Sequence, residues 1–278
     1  MLKVVAWLGT LLAGVAALRW LLLVFLREWT NKPLFEALFD RLQRVHHEKF
    51  QSTVPRRIIL VRHGESQGNV DPKLYSTTPD RYIELSSKGK QQALKAGQEL
   101  RALVKNETVL FLVSPFARCR QTYQQIAKAF GNEKQIKMRE DPRIREQEWG
   151  NLQDSVQSEA MEKERTLVGK FFFRFPQGES GADVYDRVTT FLESLFRLFD
   201  RFNCEDNIVI VTHGLLMRLF LMRYFYWSVE KFESLENFRN CELVVLERLE
   251  SRKSDKLGTY NLVTPMRYVA DSHDKAAA

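Results

Sequence analysis

The stretch "IILVRHGESQGN", residues 58–69, places an apolar, β-branched run directly before Arg62 and His63. Such a run is typical of a strand in the interior of a sheet. The stretches "TVLFLVS" at 108–114 and "NIVIVTHG" at 207–214 have the same form, an apolar run that ends in polar residues. The repeated pattern predicts a sheet whose buried strands present polar side chains where they end.

Segments with apolar residues at helical spacing alternate with these strands. They lie at 86–104, 116–130, 182–202 and 215–227, and two closing strands are predicted at 241–249 and 258–263. Alternating strands and amphipathic helices predict an α/β fold, a three-layer sandwich with a mostly parallel central sheet and helices on both faces. In such sheets, ligands bind just beyond the carboxyl ends of the strands.

The distribution of charge argues against nucleic acid as a partner. Although the chain carries a net charge of +7, residues 1–57 contain nine Lys/Arg and only four Asp/Glu. The remaining residues contain 33 Lys/Arg and 31 Asp/Glu, so the main domain is nearly neutral. The three cysteines, Cys119, Cys204 and Cys241, are far apart and form no CxxC pair, which argues against a disulfide framework and a zinc site.

The N-terminal segment is strongly apolar from residue 4 to residue 26. This length is sufficient for a helix that spans a bilayer, and we predict a membrane anchor within residues 1–27. Arg19 opposes insertion by about 2.5–3.5 kcal/mol if it lies at the centre. Basic residues after the segment predict that the main domain faces the cytoplasm. A secretory signal peptide at 4–18 and an organelle-targeting presequence are the alternatives.

The rest of the chain divides into three parts. Residues 28–57 are predicted to form a basic amphipathic linker, residues 58–265 the main domain, and residues 266–278 a C-terminal tail. The linker has apolar residues at helical spacing between 34 and 50.

Polar residues at three strand ends are predicted to converge. Arg62 and His63 follow the first strand, Arg118 lies on the first turn of the helix after the second, and His213 follows the third. Imidazoles and guanidiniums close to helix N-termini suit a dianionic phosphate. One imidazole could attack phosphorus while the other groups stabilise the transferred charge. From the residues alone, the prediction is an anion site.

These motifs also resemble those of a known family. The segment "RHGES" at 62–66 resembles the signature of the histidine phosphatase superfamily, which includes cofactor-dependent phosphoglycerate mutases. "SPFARCRQT" at 114–122 and "VTHG" at 211–214 are similar to its second and last motifs. "IREQEWGNLQ" at 144–153 resembles the segment that supplies the acidic proton donor of the family. The resemblance covers about residues 58–263 and implies that the main domain is a histidine phosphatase catalytic domain.

The resemblance implies a role for each matching residue. His63 would be the nucleophile that forms a phosphohistidine, and Glu146 would protonate the leaving oxygen, with Glu148 as the competing acid. The phosphoryl group would be surrounded by Arg62, Asn69, Arg118 and His213. No metal or other cofactor is implied, because the arginines supply the positive charge that a metal ion would otherwise provide.

Two stretches favour hydrolysis over isomerisation. The mutases carry an adjacent pair of arginines after the acidic motif, whereas residues 154–188 contain no such pair. Phenylalanines at 171–173 and 175 predict an apolar pocket wall or additional core. The stretches 145–153 and 171–188 are similar to fungal broad-range acid phosphatases and plant phosphoglycerate-mutase-like proteins. We therefore expect a phosphatase acting on a phosphorylated small molecule; a mutase, or a membrane-tethered phosphoprotein phosphatase or scaffold, is the alternative.

Overall fold

A computed structural model describes residues 19, 20, 22–24, 41, 54–131, 135–150, 155–199, 205–249 and 260–269. Several predicted features lie largely or wholly outside these residues: the anchor at 1–27, the linker at 28–57, Cys204 and the tail at 266–278. The chain divides into two compact units, residues 1–53 and 54–278, and the described residues of the first unit are helical. No described helix has an apolar stretch of the length needed to cross a bilayer.

A single sheet organises the second unit. Its strands, within the described residues, are β1 (Arg57–Arg62), β2 (Val109–Val113), β3 (Ile136–Glu140), β4 (Asn207–Thr212), β5 (Leu243–Arg248) and β6 (Tyr260–Leu262). They lie in the order β3-β2-β4-β1-β5-β6. The pairings between β3, β2, β4 and β1 are parallel, whereas β1–β5 and β5–β6 are antiparallel. The predicted α/β class, with a mostly parallel central sheet, is confirmed.

Helices connect the strands. Those in the described part of this unit are α1 (Gln67–Val70), α2 (Ser87–Val104), α3 (Ala117–Ala127), α4 (Ser155–Val168), α5 (Gly181–Phe199), α6 (Gly214–Phe225) and α7 (Val229–Glu233). Short 3-10 helices lie at Pro72–Ser76, Asp80–Tyr82 and Pro142–Ile144. The long helix α2 begins after Ser86, whose hydroxyl accepts a hydrogen bond from the Gly89 N–H and so caps the helix.

The sheet is buried on both faces. Ile59, Val61 and Phe111 belong to one core cluster, in which Leu100 of α2 and Ile126 of α3 also pack. The alternate strand residues point to the opposite face. These residues, Ile58, Leu60, Leu110, Ile208 and Ile210, are also fully buried. Helices α5 and α6 pack against each other, and α6 contacts β1.

Close approach of α2 and α3 depends on one glycine. A side-chain Cβ at Gly97 would lie 2.7 Å from the carbonyl oxygen of Ile126, which is too close for any larger residue without movement of a backbone. The two helices are therefore held at a distance that only glycine allows.

Besides the short helices α1 and α7, the strand β3 and the helix α4 were not predicted from the sequence. Strand β3 lies at the edge of the sheet, and four of its five residues are exposed, so it lacks an apolar run. In α4, Arg165 is the one buried residue between 160 and 168, so this part of the helix buries no apolar side chain. Both elements lack the periodicity that sequence analysis detects.

Candidate active site

The register of two parallel strands places both histidines side by side. Arg62 at the end of β1 pairs with Thr212 at the end of β4, and the His63 N–H donates to the Thr212 carbonyl at 2.9 Å. His63 and His213 each lie one residue beyond these ends. Their ring centroids are 5.2 Å apart, with 60° between the planes. The hydrogen-bond ladder of the sheet therefore sets the spacing of the imidazoles.

His63 has a defined tautomer. Its Nδ1 lies 2.7 Å from the Gly64 carbonyl oxygen. Because a carbonyl oxygen only accepts, Nδ1 carries the hydrogen and Nε2 has a lone pair. Burial lowers the pKa of His63 well below its ordinary value, and the nearby guanidiniums of Arg118 and Arg62 lower it further. At neutral pH the ring is uncharged, and Nε2 is suited to attack an electrophile.

His213 is fully buried next to the pocket and is not among the residues that line it. Its Nε2 lies 2.9 Å from the Ser114 hydroxyl and 3.5 Å from the Cys119 sulfur. Its Nδ1 is buried, has no hydrogen-bond partner among the described residues, and lies 3.6 Å from Glu146 Oε2. Burial lowers the pKa of His213 well below its usual range, and the charge of Arg118 adds to this effect. The neutral ring is suited to donate a hydrogen bond from Nδ1 to a ligand oxygen.

Two arginines, Arg62 and Arg118, supply positive charge close to His63. Arg62 donates from Nη1 to the Phe238 carbonyl at 2.5 Å, and its buried Nε has no partner in the described part of the chain. Arg118, on the first turn of α3, contacts the Asp80 carboxylate at 2.6 and 3.3 Å. Burial opposes the charge on Arg118, but Asp80 more than offsets it, and the pKa of Arg118 is raised. The Asp80 carboxylate therefore already pairs with the guanidinium that would bind a phosphate.

Of the two candidate acids, Glu146 is the one that lies in the pocket. Its side chain is 13% exposed, and burial raises the pKa of its carboxyl despite the opposing charge of Arg118. The backbone here is held by Arg187, which donates to the Glu146 carbonyl at 3.0 Å. Glu148 is exposed and lines a neighbouring cavity. A carboxyl with a raised pKa next to a nucleophile is suited to general acid catalysis.

Asn69 also lines the pocket, at the first turn after the β1 motif. Its side-chain oxygen accepts from the Ser66 N–H at 3.1 Å, and its own N–H donates to the Ser66 hydroxyl at 3.1 Å. Because the side-chain oxygen of Asn69 accepts this capping hydrogen bond, its NH2 group is the part that can donate to an anion. Glu65 accepts from Ser86 and Lys88 at the start of α2, so it orders the loop.

The pocket has a volume of about 480 Å³ and contains more charge than the sequence analysis predicted. Its additional lining residues include Tyr75, Asp80, Trp149, Arg165, Lys170 and Arg218. The sequence could have indicated Arg218 as a site residue, because it is the one charged residue in the apolar run 214–222 of α6. No sequence pattern indicates Arg165 or Lys170 as a site residue, since both lie in the region without clear periodicity that follows the acidic motif.

The predicted apolar wall is wrong. Phe171, Phe173 and Phe175 are core residues, with 8%, 5% and 2% of their surfaces exposed, and Phe172 faces solvent at 63% exposure. None of these four lines the pocket. The aromatic rings pack against one another, which explains their burial away from the site. The region after the acidic motif thus contributes cations to the pocket wall.

The electrostatics of the pocket favour an anion. His63, Glu146 and His213 have potential ligand atoms within 4.8 Å of one another, a spacing that a metal ion could bridge. However, the guanidiniums of Arg62 and Arg118 adjoin the same space, and their charge repels a cation. Unpaired donors on Arg62 and His213 require an acceptor. The arrangement therefore fits a phosphate group between two arginines and two imidazoles.

Known proteins share the sequence and the fold. The histidine phosphatase superfamily (branch 1) model matches residues 58–257. Phosphoglycerate mutase-like protein AT74H of Arabidopsis thaliana is 46% identical over 209 residues, covering 70% of this chain and 74% of the plant protein. Broad-range acid phosphatase DET1 of Saccharomyces cerevisiae is 31% identical over 297 residues, covering 74% and 89%. A mycobacterial glucosyl-3-phosphoglycerate phosphatase structure has the same fold, with a TM-score of 0.57, 20% identity, and coverage of 75% of this chain and 97% of that one.

Proposed function

The chain belongs to the histidine phosphatase superfamily, and we propose that it hydrolyses phosphomonoesters of small molecules through a phosphohistidine at His63. One observation carries this proposal. A neutral, buried His63 has its Nε2 available, next to two guanidiniums and to a carboxyl whose pKa is raised. The similarity to a relative named as a broad-range acid phosphatase supports hydrolysis.

The first half of the reaction transfers the phosphoryl group to the enzyme. The dianionic phosphate lies between Arg62 and Arg118 and accepts a hydrogen bond from His213 Nδ1. His63 Nε2 attacks phosphorus, forming the P–N bond as the P–O bond to the leaving group breaks. Glu146, whose protonated form is favoured by burial because burial raises its pKa, donates a proton to the leaving oxygen. The fixed positive charges stabilise the charge that develops on the equatorial oxygens.

The second half releases phosphate. Glu146 is now a carboxylate and takes a proton from a water molecule as the water oxygen attacks phosphorus. The P–N bond breaks, and its electron pair returns to Nε2 of His63. The same carboxyl therefore acts as acid in the first step and as base in the second.

A phosphoglycerate mutase is the second candidate. The observation in its favour is the set of additional cations that line the pocket, Arg165, Lys170 and Arg218, which could hold a second charged group of the substrate. Against it, the adjacent arginine pair that the resemblance leads one to expect is missing from residues 154–188. Both activities require the same phosphoenzyme, so they differ only in what receives the phosphoryl group.

The experiment that distinguishes them follows two products at once. The purified full-length chain, with a metal chelator present, is incubated with 3-phosphoglycerate and with a panel of phosphomonoesters. We expect release of free phosphate from several esters and acid-labile phosphate on the protein, both of which are lost in His63→Ala. Arg120→Ala is the matched control, because Arg120 is exposed and pairs with Glu140 outside the pocket. Isomerised product without net phosphate release would establish the mutase instead, and retention of activity in His63→Ala would reject the nucleophile.

We further propose that the N-terminal segment attaches the enzyme to a membrane, with the catalytic domain on the cytoplasmic side. The apolar run at 4–26 and the basic residues after it support this proposal. Fractionation of cells that express the full chain, compared with a chain lacking residues 1–27, tests the attachment.

A further inference from the structure

The proton donor of the proposed reaction lies on a segment without regular secondary structure. Residues 145–150, which carry Glu146, belong to no helix or strand. The sheet holds the residue before this segment, because the Thr212 hydroxyl donates to the Ile144 carbonyl at 2.7 Å. The Glu146 carboxylate accepts a hydrogen bond from the neighbouring Gln147 N–H at 3.1 Å, which lies on the same segment. Further contacts must therefore fix where the acid lies relative to the phosphate.

The guanidinium of Arg187, on α5, holds the backbone of this segment. Its Nη1 donates to the carbonyl oxygens of Arg143 and Arg145 at 2.6 and 2.9 Å, and its Nη2 donates to that of Glu146 at 3.0 Å. Its Nε and Nη2 also donate to the two carboxylate oxygens of Glu179, each at 3.0 Å. All five N–H donors of the side chain are thus used.

Glu179, which precedes α5, contacts the same segment. Its carboxylate accepts from Arg145 Nη2 at 2.6 Å and from the Glu148 N–H at 3.0 Å. Its backbone N–H donates to the Glu148 carbonyl at 2.8 Å, and its own carbonyl accepts from Gln147 Nε2 at 2.8 Å. The pair of Arg187 and Glu179 therefore holds the segment at the proton donor and on both sides of it.

The pair is buried but does not border the substrate. The side chains of Arg187 and Glu179 are 11% and 15% exposed, and neither is among the described residues that line the pocket. Burial lowers the pKa of Arg187, and the charges of Glu179 and Glu146 oppose this effect. The guanidinium is therefore close to the acid, and the pair can act on the substrate only through the residues that it holds.

We propose that Arg187 and Glu179 are positioning residues for the proton donor, which fix the Glu146 backbone so that its carboxyl reaches the leaving oxygen. The inference rests on the proposed phosphatase function and assigns the pair a role in its first step. Misplacement of a catalytic group by about 1 Å costs about 100-fold in rate. One planar guanidinium bound to three backbone carbonyls leaves the segment little freedom for such a shift.

Two esters separate positioning from a purely structural role. Propyl phosphate has an alkoxide leaving group that requires a proton, whereas the phenolate of 2,4-dinitrophenyl phosphate does not. The full-length chain is assayed for phosphate release, and kcat/KM covers only the steps up to formation of the phosphohistidine. We expect Arg187→Lys and Glu179→Gln to lower kcat/KM for propyl phosphate by about 100-fold and for the dinitrophenyl ester by less than about threefold. Equal losses for the two esters would indicate a structural role and overturn the proposal.

The Glu146→Gln background provides a second test. If the pair acts through Glu146, adding Arg187→Lys to Glu146→Gln causes no further loss of kcat/KM for propyl phosphate, because the proton donor is already absent. Losses that multiply in the double variant would show that the pair acts through another group. That result would also overturn the proposal.

Arg174→Met is the matched control. Arg174 pairs with Asp183 of α5 at 2.7 Å, is 59% exposed and lies outside the pocket, so both esters should keep their wild-type kcat/KM. Circular dichroism checks that each variant folds, and if Arg187→Lys does not, Glu179→Gln carries both tests, because it keeps an oxygen acceptor at that position.

The outcomes separate this inference from the proposed function. Absence of phosphate release from both esters by the wild-type chain would reject the phosphatase itself. Release by the wild type, with equal losses for the two esters in the variants, would keep the phosphatase and reject only the positioning role.

Discussion

Asp80→Asn should strengthen the binding of phosphate to this enzyme. In the structure the Asp80 carboxylate accepts hydrogen bonds from the Arg118 guanidinium at 2.6 and 3.3 Å. The Asp80 carbonyl oxygen accepts a further hydrogen bond from the same guanidinium at 2.9 Å. Phosphate must therefore compete with a negative charge for Arg118. Asparagine preserves the size of the side chain and one oxygen acceptor but removes that charge.

The expected gain is about tenfold in affinity. A pair of unit charges 4 Å apart at an effective dielectric constant of 20 interacts by about 4 kcal/mol. The Asp80 side chain is 28% exposed, so solvent screens part of this energy. A charged hydrogen bond contributes about 1.5–3 kcal/mol, and its lower limit corresponds to a tenfold change in an equilibrium constant.

Asp80 also acts on the proton donor. Burial is the main reason that the pKa of Glu146 is raised, and the negative charge of Asp80 raises it further. Removing that charge should lower the pKa of Glu146. Because Glu146 must be protonated in the first step, the pH at which kcat/KM begins to fall should move to a lower value.

Competitive inhibition by inorganic phosphate and by orthovanadate measures the first effect, and a pH–rate profile measures the second. Asp71→Asn is the matched control, because Asp71 is an exposed acid that caps a neighbouring 3-10 helix through the Lys73 N–H. Unchanged or weaker inhibition in Asp80→Asn would refute the reasoning. It would mean that Asp80 holds Arg118 in position for the substrate and does not compete with it.

Four further predictions follow from the structure. Glu146→Gln should slow hydrolysis most for esters with poor leaving groups, and equal losses across a leaving-group series would argue against a proton donor. The wild-type pH profile of kcat/KM should rise as His63 loses its proton at low pH, because its pKa is lowered, and fall as Glu146 ionises at a raised pKa; a profile that instead rises through neutral pH would contradict both roles. Gly97→Ala should destabilise the fold by about 1–3 kcal/mol in urea denaturation, because its Cβ would lie 2.7 Å from the Ile126 carbonyl oxygen; a wild-type midpoint would show that α2 and α3 can separate freely. Residues Asn106-Glu107-Thr108 form an N-glycosylation sequon whose asparagine is exposed, and the proposed cytoplasmic orientation predicts that it stays unglycosylated in eukaryotic cells. A mobility shift removed by a glycosidase would reject that orientation.

The sequence was sufficient for the parts of the site that the sheet itself positions. His63 and His213 were predicted to converge because each follows an apolar strand, and the parallel pairing of β1 with β4 brings them together. Arg118 was predicted on the same grounds, one turn into the helix after β2. These predictions depend only on periodicity and on the rule that parallel strands end at a common edge.

Some residues that reach the pocket from outside the sheet were missed, whereas Asn69 and Glu146 were named through the family resemblance. Asp80 lies in a short 3-10 helix and Arg165 in a part of α4 that buries no apolar side chain, so no local pattern marks either of them. Their approach to the site is a product of tertiary packing over long sequence separations. The phenylalanines between 171 and 175 were instead considered as a pocket wall although three of them are core residues, since composition alone does not distinguish the two.

The register between β1 and β4 has a consequence for how this enzyme can diverge. The two imidazoles to which we assign the chemistry follow strands paired in the hydrogen-bond ladder of the buried sheet, so a shift of one relative to the other requires movement of the core. The additional cations that line the pocket come from α4, from the turn at Lys170 and from a helix face, none of which belongs to that ladder. Selection can therefore replace the residues that choose the substrate while the reacting groups keep their positions. Enzymes that share this sheet and its two histidines can in this way act on different substrates.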